Sequence, residues 1–216
     1  SPLSTPHGPI LLKNKRLLYF GKRFSPWKGG KSWKKCRTAD FGKGDIEAAL
    51  SADQGKTWKR LGVVPMPAEL KPANIHEPHV AELRDGRLVG LIRVQDYARK
   101  DKEGDPLFTM YQTMSRDGGS TWAEAKPTGV AGSPPHLLAH SSGALVNVYG
   151  YRKKPYGERA MLSRDGGETW KTDLVLRADG PSGDLGYPSS VELPGGDLFT
   201  VYYQQFKKDE PCSLLW

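Results

Sequence analysis

Cysteine is nearly missing from this sequence. Cys36 and Cys212 are its 2 cysteines, and no C-x-x-C spacing occurs. That excludes a multi-bridge disulfide framework and a paired-cysteine zinc knuckle. A single disulfide between the two stays open, and it fixes no compartment. No run of about 18 apolar residues exists, so no membrane-spanning helix is expected. The opening residues SPLSTPHGPI lack a charged and then apolar leader pattern, so no signal peptide is expected within them. Positive charge is in excess but not concentrated: 32 Lys and Arg against 24 Asp and Glu give a net charge of +8. The basic clusters are short, KSWKK at 31–35 and KK at 153–154, and no nucleic-acid-binding motif accompanies them. Nucleic acid is therefore not an expected partner, whereas an acidic ligand suits the charge.

What the sequence does have is turns and repeats. Its 25 Gly and 17 Pro suit many short strands joined tightly. The pattern S-x-D-x-G-x-T-W is written three times: SADQGKTW at 51–58, SRDGGSTW at 115–122 and SRDGGETW at 163–170. Repetition at such spacing marks an array, a solenoid or a propeller. In each box the Asp (Asp53, Asp117, Asp165) suits bonding to backbone N–H groups across the turn. Gly55, Gly119 and Gly167 suit left-handed backbone. Trp58, Trp122 and Trp170 offer flat apolar plates between units. One carboxylate per turn is a poor calcium site, so no metal is expected there.

A second pattern precedes each box. TPHGPILLKNKRLLYFG (5–21), EPHVAELRDGRLVGLIR (77–93), PPHLLAHSSGALVNVYG (134–150) and YPSSVELPGGDLFTVYY (187–203) align without a gap. Each places Pro second, then an apolar stretch, a polar turn and another apolar stretch, which reads as a β-hairpin. A third strand leads into each box (45–51, 108–115, 159–163), and a fourth follows, as at 172–176. Four antiparallel strands per unit make a propeller blade. The chain is thus predicted to be all-β, one propeller domain or part of one, with units at about 5–70, 75–130, 133–180 and 186–216. The last unit lacks a box and stops at CSLLW.

Chain direction sorts residues by end. The boxes fall at the far end of each blade. The mouth holds residues just before strand one and just after strand two: Thr5, Glu77, Pro134 and Tyr187 before, Arg93 and Arg152 after, with Arg23 aligned to Arg152. A carboxylate, a phenol and several guanidinium groups would converge on one funnel. Arginine grips a carboxylate bidentately. A phenol beside a carboxylate can lose its proton as charge develops elsewhere, and a neutral phenol approaches an anionic sugar with less repulsion than a carboxylate does.

These segments resemble the sialidase (neuraminidase) superfamily, whose Asp-boxes or BNR repeats the S-x-D-x-G-x-T-W turns look like. EPHVAELRDGRLVGLIR resembles the family segment that a glutamate opens and an arginine closes, and GYPSSVELPGGDLFTVYY the one bearing its tyrosine nucleophile. The resemblance implies a retaining exo-glycosidase acting on a terminal sialic acid or related acidic sugar of a glycan, without metal or other cofactor. It implies Tyr187 as nucleophile, Glu77 as its base, and Arg93 as one of three arginines on the substrate carboxylate. Arg152 is a further candidate, with Arg159 as its competitor. It also implies secretion or a periplasmic location. The family has six blades, an F/Y-R-I-P arginine and an aspartate acid from its early region. Here four units are counted and neither element is matched, so the chain reads as a C-terminal portion. A non-catalytic glycan- or protein-binding propeller is the alternative, and a propeller glycosidase of neutral sugars a third reading.

Overall fold

The computed structural model describes residues 3–23 and 44–216. Cys36 lies outside them. Four antiparallel sheets follow one another along the chain. The first contains β1 (Leu3–Ser4), β2 (Ile10–Leu11), β3 (Leu17–Arg23), β4 (Ile46–Ser51) and β5 (Lys59–Val63), ordered β1-β3-β4-β5 with β2 also on β3. The second is β6 (Ile75–Glu82), β7 (Leu88–Lys100), β8 (Pro106–Ser115) and β9 (Lys126–Ala131). The third is β10 (Pro135–Ala139), β11 (Leu145–Tyr151), β12 (Gly157–Ser163) and β13 (Lys171–Val175). The fourth is β14 (Leu185–Glu192), β15 (Leu198–Gln204) and β16 (Ser213–Leu215). Successive sheets pack as blades of a β-propeller, β3 against β6, β6 against β10, and β10 and β11 against β14.

The four hairpin turns close the same way. The amide of the first turn residue donates to the carbonyl of the fifth: Leu12 to Arg16, Leu83 to Arg87, His140 to Ala144 and Leu193 to Asp197, at 2.8 Å each. The fourth residue takes left-handed backbone at Lys15, Gly86, Gly143 and Gly196. These turns correct the gapless alignment. Units two, three and four keep their common register. Unit one has one more residue between its Pro-His pair and the turn, so Lys22, not Gly21, stands where Arg93 stands. Arg23 accordingly matches Val94 and Tyr151 rather than Arg152.

Each box folds identically. The Ser51 hydroxyl donates to Asp53 at 2.7 Å and accepts the Gly55 amide at 2.8 Å. Asp53 accepts the Thr57 amide and hydroxyl at 2.9 and 2.6 Å. Asp117 and Asp165 repeat the arrangement with Thr121 and Thr169. Hydrogen bonds from the threonine side chain and backbone hold Asp53 and Asp117 down at about 2, so all three turns stay ionised at ordinary pH. The box then caps the preceding blade. Trp122 lies on Phe20 with centroids 4.7 Å apart, and Trp170 Nε1 donates to Gln112 Oε1 at 2.7 Å.

Two apolar cores fill the first two joints. One gathers Leu18, Phe20, Val80, Ile92, Tyr111 and Trp122, the other Val89, Leu91, Met110, Leu137, Tyr149 and Met161. Alternate residues of β7 feed opposite joints, the period-2 pattern of a strand buried on both faces. Three histidines line the inside of the ring. His7, His79 and His136 hold the third place of their units, and their centroids are 4.6–4.9 Å apart. His79 Nδ1 accepts the Leu137 amide at 2.9 Å and His136 Nδ1 the Ser190 amide at 3.2 Å. His79 and His136 therefore each tie their own blade to the next one.

Candidate active site

Glu77 and Tyr187 occupy the same place in blades two and four, and the backbone treats them alike. Both sit at a register shift of strand one, between His76 and His79 and between Gly186 and Ser189. Both adopt positive φ, 42° and 52°, each immediately before a proline. Left-handed backbone is costly for such residues and collects at functional sites. The bulge breaks the alternation of side chains, so both groups turn out of the blade stack into shared space.

There they meet. The Tyr187 hydroxyl donates to Glu77 Oε1 at 2.6 Å. Arg93 Nη1 donates to the other oxygen, Glu77 Oε2, and lies 3.4 Å from the Tyr187 hydroxyl. Arg93 Nη2 donates to Gln95 Oε1, whose amide nitrogen donates to the Tyr97 hydroxyl at 2.6 Å. Thr5 Oγ1 donates to the Pro78 carbonyl at 2.5 Å, so blade one braces the bulge that carries Glu77. Burial raises the Tyr187 phenol, the hydrogen bond and charge of Glu77 raise it further, and Arg93 opposes both. The phenol is thus neutral at rest, with its proton already directed at a carboxylate. Tyr203 stacks against Tyr187 at 5.9 Å and donates to Asp184 at 2.9 Å.

Arg152 stands beside this group. Its guanidinium carbon is 5.5 Å from the Phe108 centroid, and that of Arg93 is 5.1 Å away. One ring thus holds two cations close together. Arg152 Nη2 donates to the Leu185 carbonyl at 3.0 Å, two residues before Tyr187. The Nε atoms of Arg93 and Arg152 are buried without a hydrogen-bond partner among the described residues.

The other two arginines go elsewhere. Arg159 is buried and lies over Tyr151 at 4.6 Å. Arg23 forks onto Glu47, a fully buried carboxylate that Arg60 also reaches at 2.6 Å. The one-residue displacement of unit one explains this, because it turns Arg23 into a different direction from Arg152. Lys22 takes the place equivalent to Arg93 and donates to the Pro72 and Ile75 carbonyls at 2.6 and 2.7 Å. Phe108 and Gln95 were not picked out in the sequence, since neither carries a motif. The histidine trio was not picked out either, although a repeated Pro-His at 6–7, 78–79 and 135–136 was the signal for it.

The repeat architecture has a match among known families. The BNR repeat-like domain family matches residues 11–200. This chain belongs to that family. No curated protein matches its sequence significantly. Among solved structures, a protein of unknown function from Dyadobacter fermentans is 26% identical, with a TM-score of 0.77. It is matched over 99% of this chain and 52% of its own. The Hadza microbial sialidase Hz136 is 15% identical with a TM-score of 0.65, over 97% of this chain and 43% of its own. The GH93 alpha-L-arabinofuranosidase of Fusarium graminearum, solved with arabinobiose, is 18% identical with a TM-score of 0.62, over 97% and 58%. The BNR chain therefore spans about half the length of these structures and shares their propeller fold.

Proposed function

We propose that this BNR domain forms the nucleophile-bearing part of a retaining exo-glycosidase for terminal sialic acid or a related acidic sugar. The observation that carries the reading is the Tyr187–Glu77 hydrogen bond at 2.6 Å between residues 110 positions apart, on two strained bulges. In this reading Tyr187 Oη attacks the anomeric carbon while its proton passes to Glu77 Oε1. Arg93 stabilises the Glu77 carboxylate beforehand, and water later hydrolyses the glycosyl–tyrosine bond with Glu77 assisting. A neutral phenol suits a substrate whose own carboxylate adjoins the reacting carbon. Arg93 and Arg152, paired on Phe108, supply the cationic side for that carboxylate. In the resembling family an aspartate protonates the leaving oxygen, and none of the described aspartates is hydrogen-bonded to Tyr187, Glu77 or Arg93.

The reading is tested with a fluorinated, mechanism-based sialic acid followed by mass spectrometry. Unaltered protein is expected to gain one covalent sugar on Tyr187, and Tyr187→Phe none. Labelling of another residue, or unchanged turnover by Tyr187→Phe, would reject the nucleophile assignment. A protein that binds glycan and is never labelled would instead be a binding module.

A further inference from the structure

The hairpin of blade two is longer than its counterparts. β7 has 13 residues, whereas β3, β11 and β15 have 7 each. The extra length continues past Asp96, which pairs with Leu107, to Lys100 opposite Pro106. It carries the hairpin tip across to blade three. There Lys153 Nζ meets three carboxylates of the tip, Asp101, Glu103 at 2.9 Å and Asp105 at 3.3 Å. The tip's negative charge is thus gathered on one lysine. Between the tip and the segment from Arg152 to Tyr156 lies an open cavity of about 450 Å³. It adjoins the candidate active site directly, because Gln95, Phe108 and Arg152 line both. That volume falls within the roughly 300–1,000 Å³ of small-molecule sites.

Its chemistry is uneven. Lys153 is neutralised by the tip, but Lys154 is exposed and has no carboxylate partner among the described residues. Tyr156, half-buried, lines the cavity, and its backbone carbonyl accepts the Gly180 amide at 3.0 Å. An aromatic side chain with polar neighbours can seat a sugar, and the unpaired Lys154 on the same wall selects for negative charge.

We infer that this cavity is the subsite for the sugar on the leaving side of the scissile bond, and that it prefers an acidic one. The substrate class is then a glycan with consecutive acidic sugars. The inference rests on the reading that Arg93 and Arg152 hold the terminal sugar acid. Lys154 contacts the carboxylate of the next residue, whose ring lies on Tyr156. Lys153 shapes the wall through the hairpin tip and takes no part in binding.

The test is calorimetric titration of the protein with N-acetylneuraminic acid, its α2,8-linked dimer, and α2,3-sialyllactose, whose second sugar is neutral. The dimer is expected to bind about tenfold tighter than sialyllactose, the worth of one charge-assisted hydrogen bond. Lys154→Met is expected to abolish that advantage without changing affinity for the monomer, and its exposed position keeps folding unaffected. Equal affinities for dimer and sialyllactose, or an advantage that survives Lys154→Met, would overturn the inference. Arg93→Met separates the two readings. If it leaves monomer affinity unmoved while the dimer's advantage still depends on Lys154, the clamp at Arg93 is wrong and the acidic subsite stands.

Discussion

The box turns and the mouth residues belong to the same repeats yet behave in opposite ways. At the boxes three blades do the same thing with the same side chains. Every carboxylate is satisfied within its own turn, by groups two and four residues away. At the mouth the aligned places hold different residues, Thr5, Glu77, Pro134 and Tyr187. Tyr187 and Thr5 bond across blades, to Glu77 and the Pro78 carbonyl, while Glu77 also accepts from Arg93 of its own blade. The backbone differs too. Left-handed conformations in the boxes fall on two adjacent places, glycine at five of the six and Gln54 at the sixth, whereas at the mouth they fall on Glu77 and Tyr187. Identity between repeats marks what every blade needs in order to stack. Departure from the repeat, at a place where the backbone is strained, marks what one blade does for the site.

The sharpest way to break this comparison is at a box tryptophan. Trp122 is buried, lies on Phe20 of the preceding blade and donates to the Gly119 carbonyl at 3.1 Å. Trp122→Ala should remove about 3–5 kcal/mol of stability, as large-to-small changes in a packed joint do. Urea unfolding measures it. A loss below about 1 kcal/mol would mean that the boxes are not what seals one blade to the next.

A smaller and pH-dependent effect is expected from the axis. Burial lowers His7 and His136 to about 4 and pushes His79 well down; repulsion from neighbouring imidazoles adds to it at His79 and His136, and a backbone hydrogen bond opposes it at His7. Their folded values lie below the unfolded 6.5, so the neutral rings stabilise the fold fully above pH 6.5. That contribution falls away as pH drops from 6.5 towards 4, by up to about 1.4 kcal/mol per pH unit for each histidine. Protonation also abolishes the Nδ1 acceptors that hold the Leu137 and Ser190 amides. Urea midpoints at pH 7, 6 and 5 should fall stepwise, and His136→Asn should make the fall shallower. The box aspartates do not confuse the window, since Asp53 and Asp117 are held near 2 and weaken the fold only below the unfolded carboxylate range. Two other groups shifted by burial titrate in this window. His76, lowered to about 4, adds to the fall, while Glu158, raised to about 8, gains stability as pH drops and opposes it. The trio is therefore read from the difference between the unaltered protein and His136→Asn, and equal slopes for the two would show that the trio is not neutral in the fold.

Much of this was legible in the sequence, and the illegible part has a definite cause. The blades were legible because their periodicity is a consequence of burial on both sheet faces, and the boxes because each turn is closed by its own residues. Glu77, Tyr187 and Arg93 could be paired across 110 positions because units two and four share one register. Arg23 could not be placed correctly. The single extra residue of unit one hides in an apolar stretch that aligns equally well either way, and a one-residue slip in a strand sends the side chain to the other face. Phe108 was invisible for another reason. Its role, holding Arg93 and Arg152 together, comes from a third strand whose neighbours are fixed only by the folded stack. The uncovered side of blade four was also unreadable. Val191 and Phe199 are exposed there, although Ala81 and Val89, the corresponding pair in blade two, are buried by blade three.

The smallest expected effect sharpens the comparison from the mouth. Tyr187→Phe deletes one hydroxyl and its bond to Glu77 but leaves the ring stacked on Tyr203 and leaves Glu77 bonded to Arg93. The lost hydrogen bond, made to a charged carboxylate, is worth about 1.5–3 kcal/mol. Against it stands the desolvation of a half-buried hydroxyl, which the phenylalanine ring does not incur. The positive φ at residue 187 is unchanged by the substitution, so that strain drops out of the difference. The net loss of unfolding free energy should therefore be no more than about 2 kcal/mol, measured beside Trp122→Ala under the same conditions. A loss approaching that of Trp122→Ala would mean that the Tyr187–Glu77 contact is a structural joint like the boxes, and that the strained bulges serve the stack rather than the site.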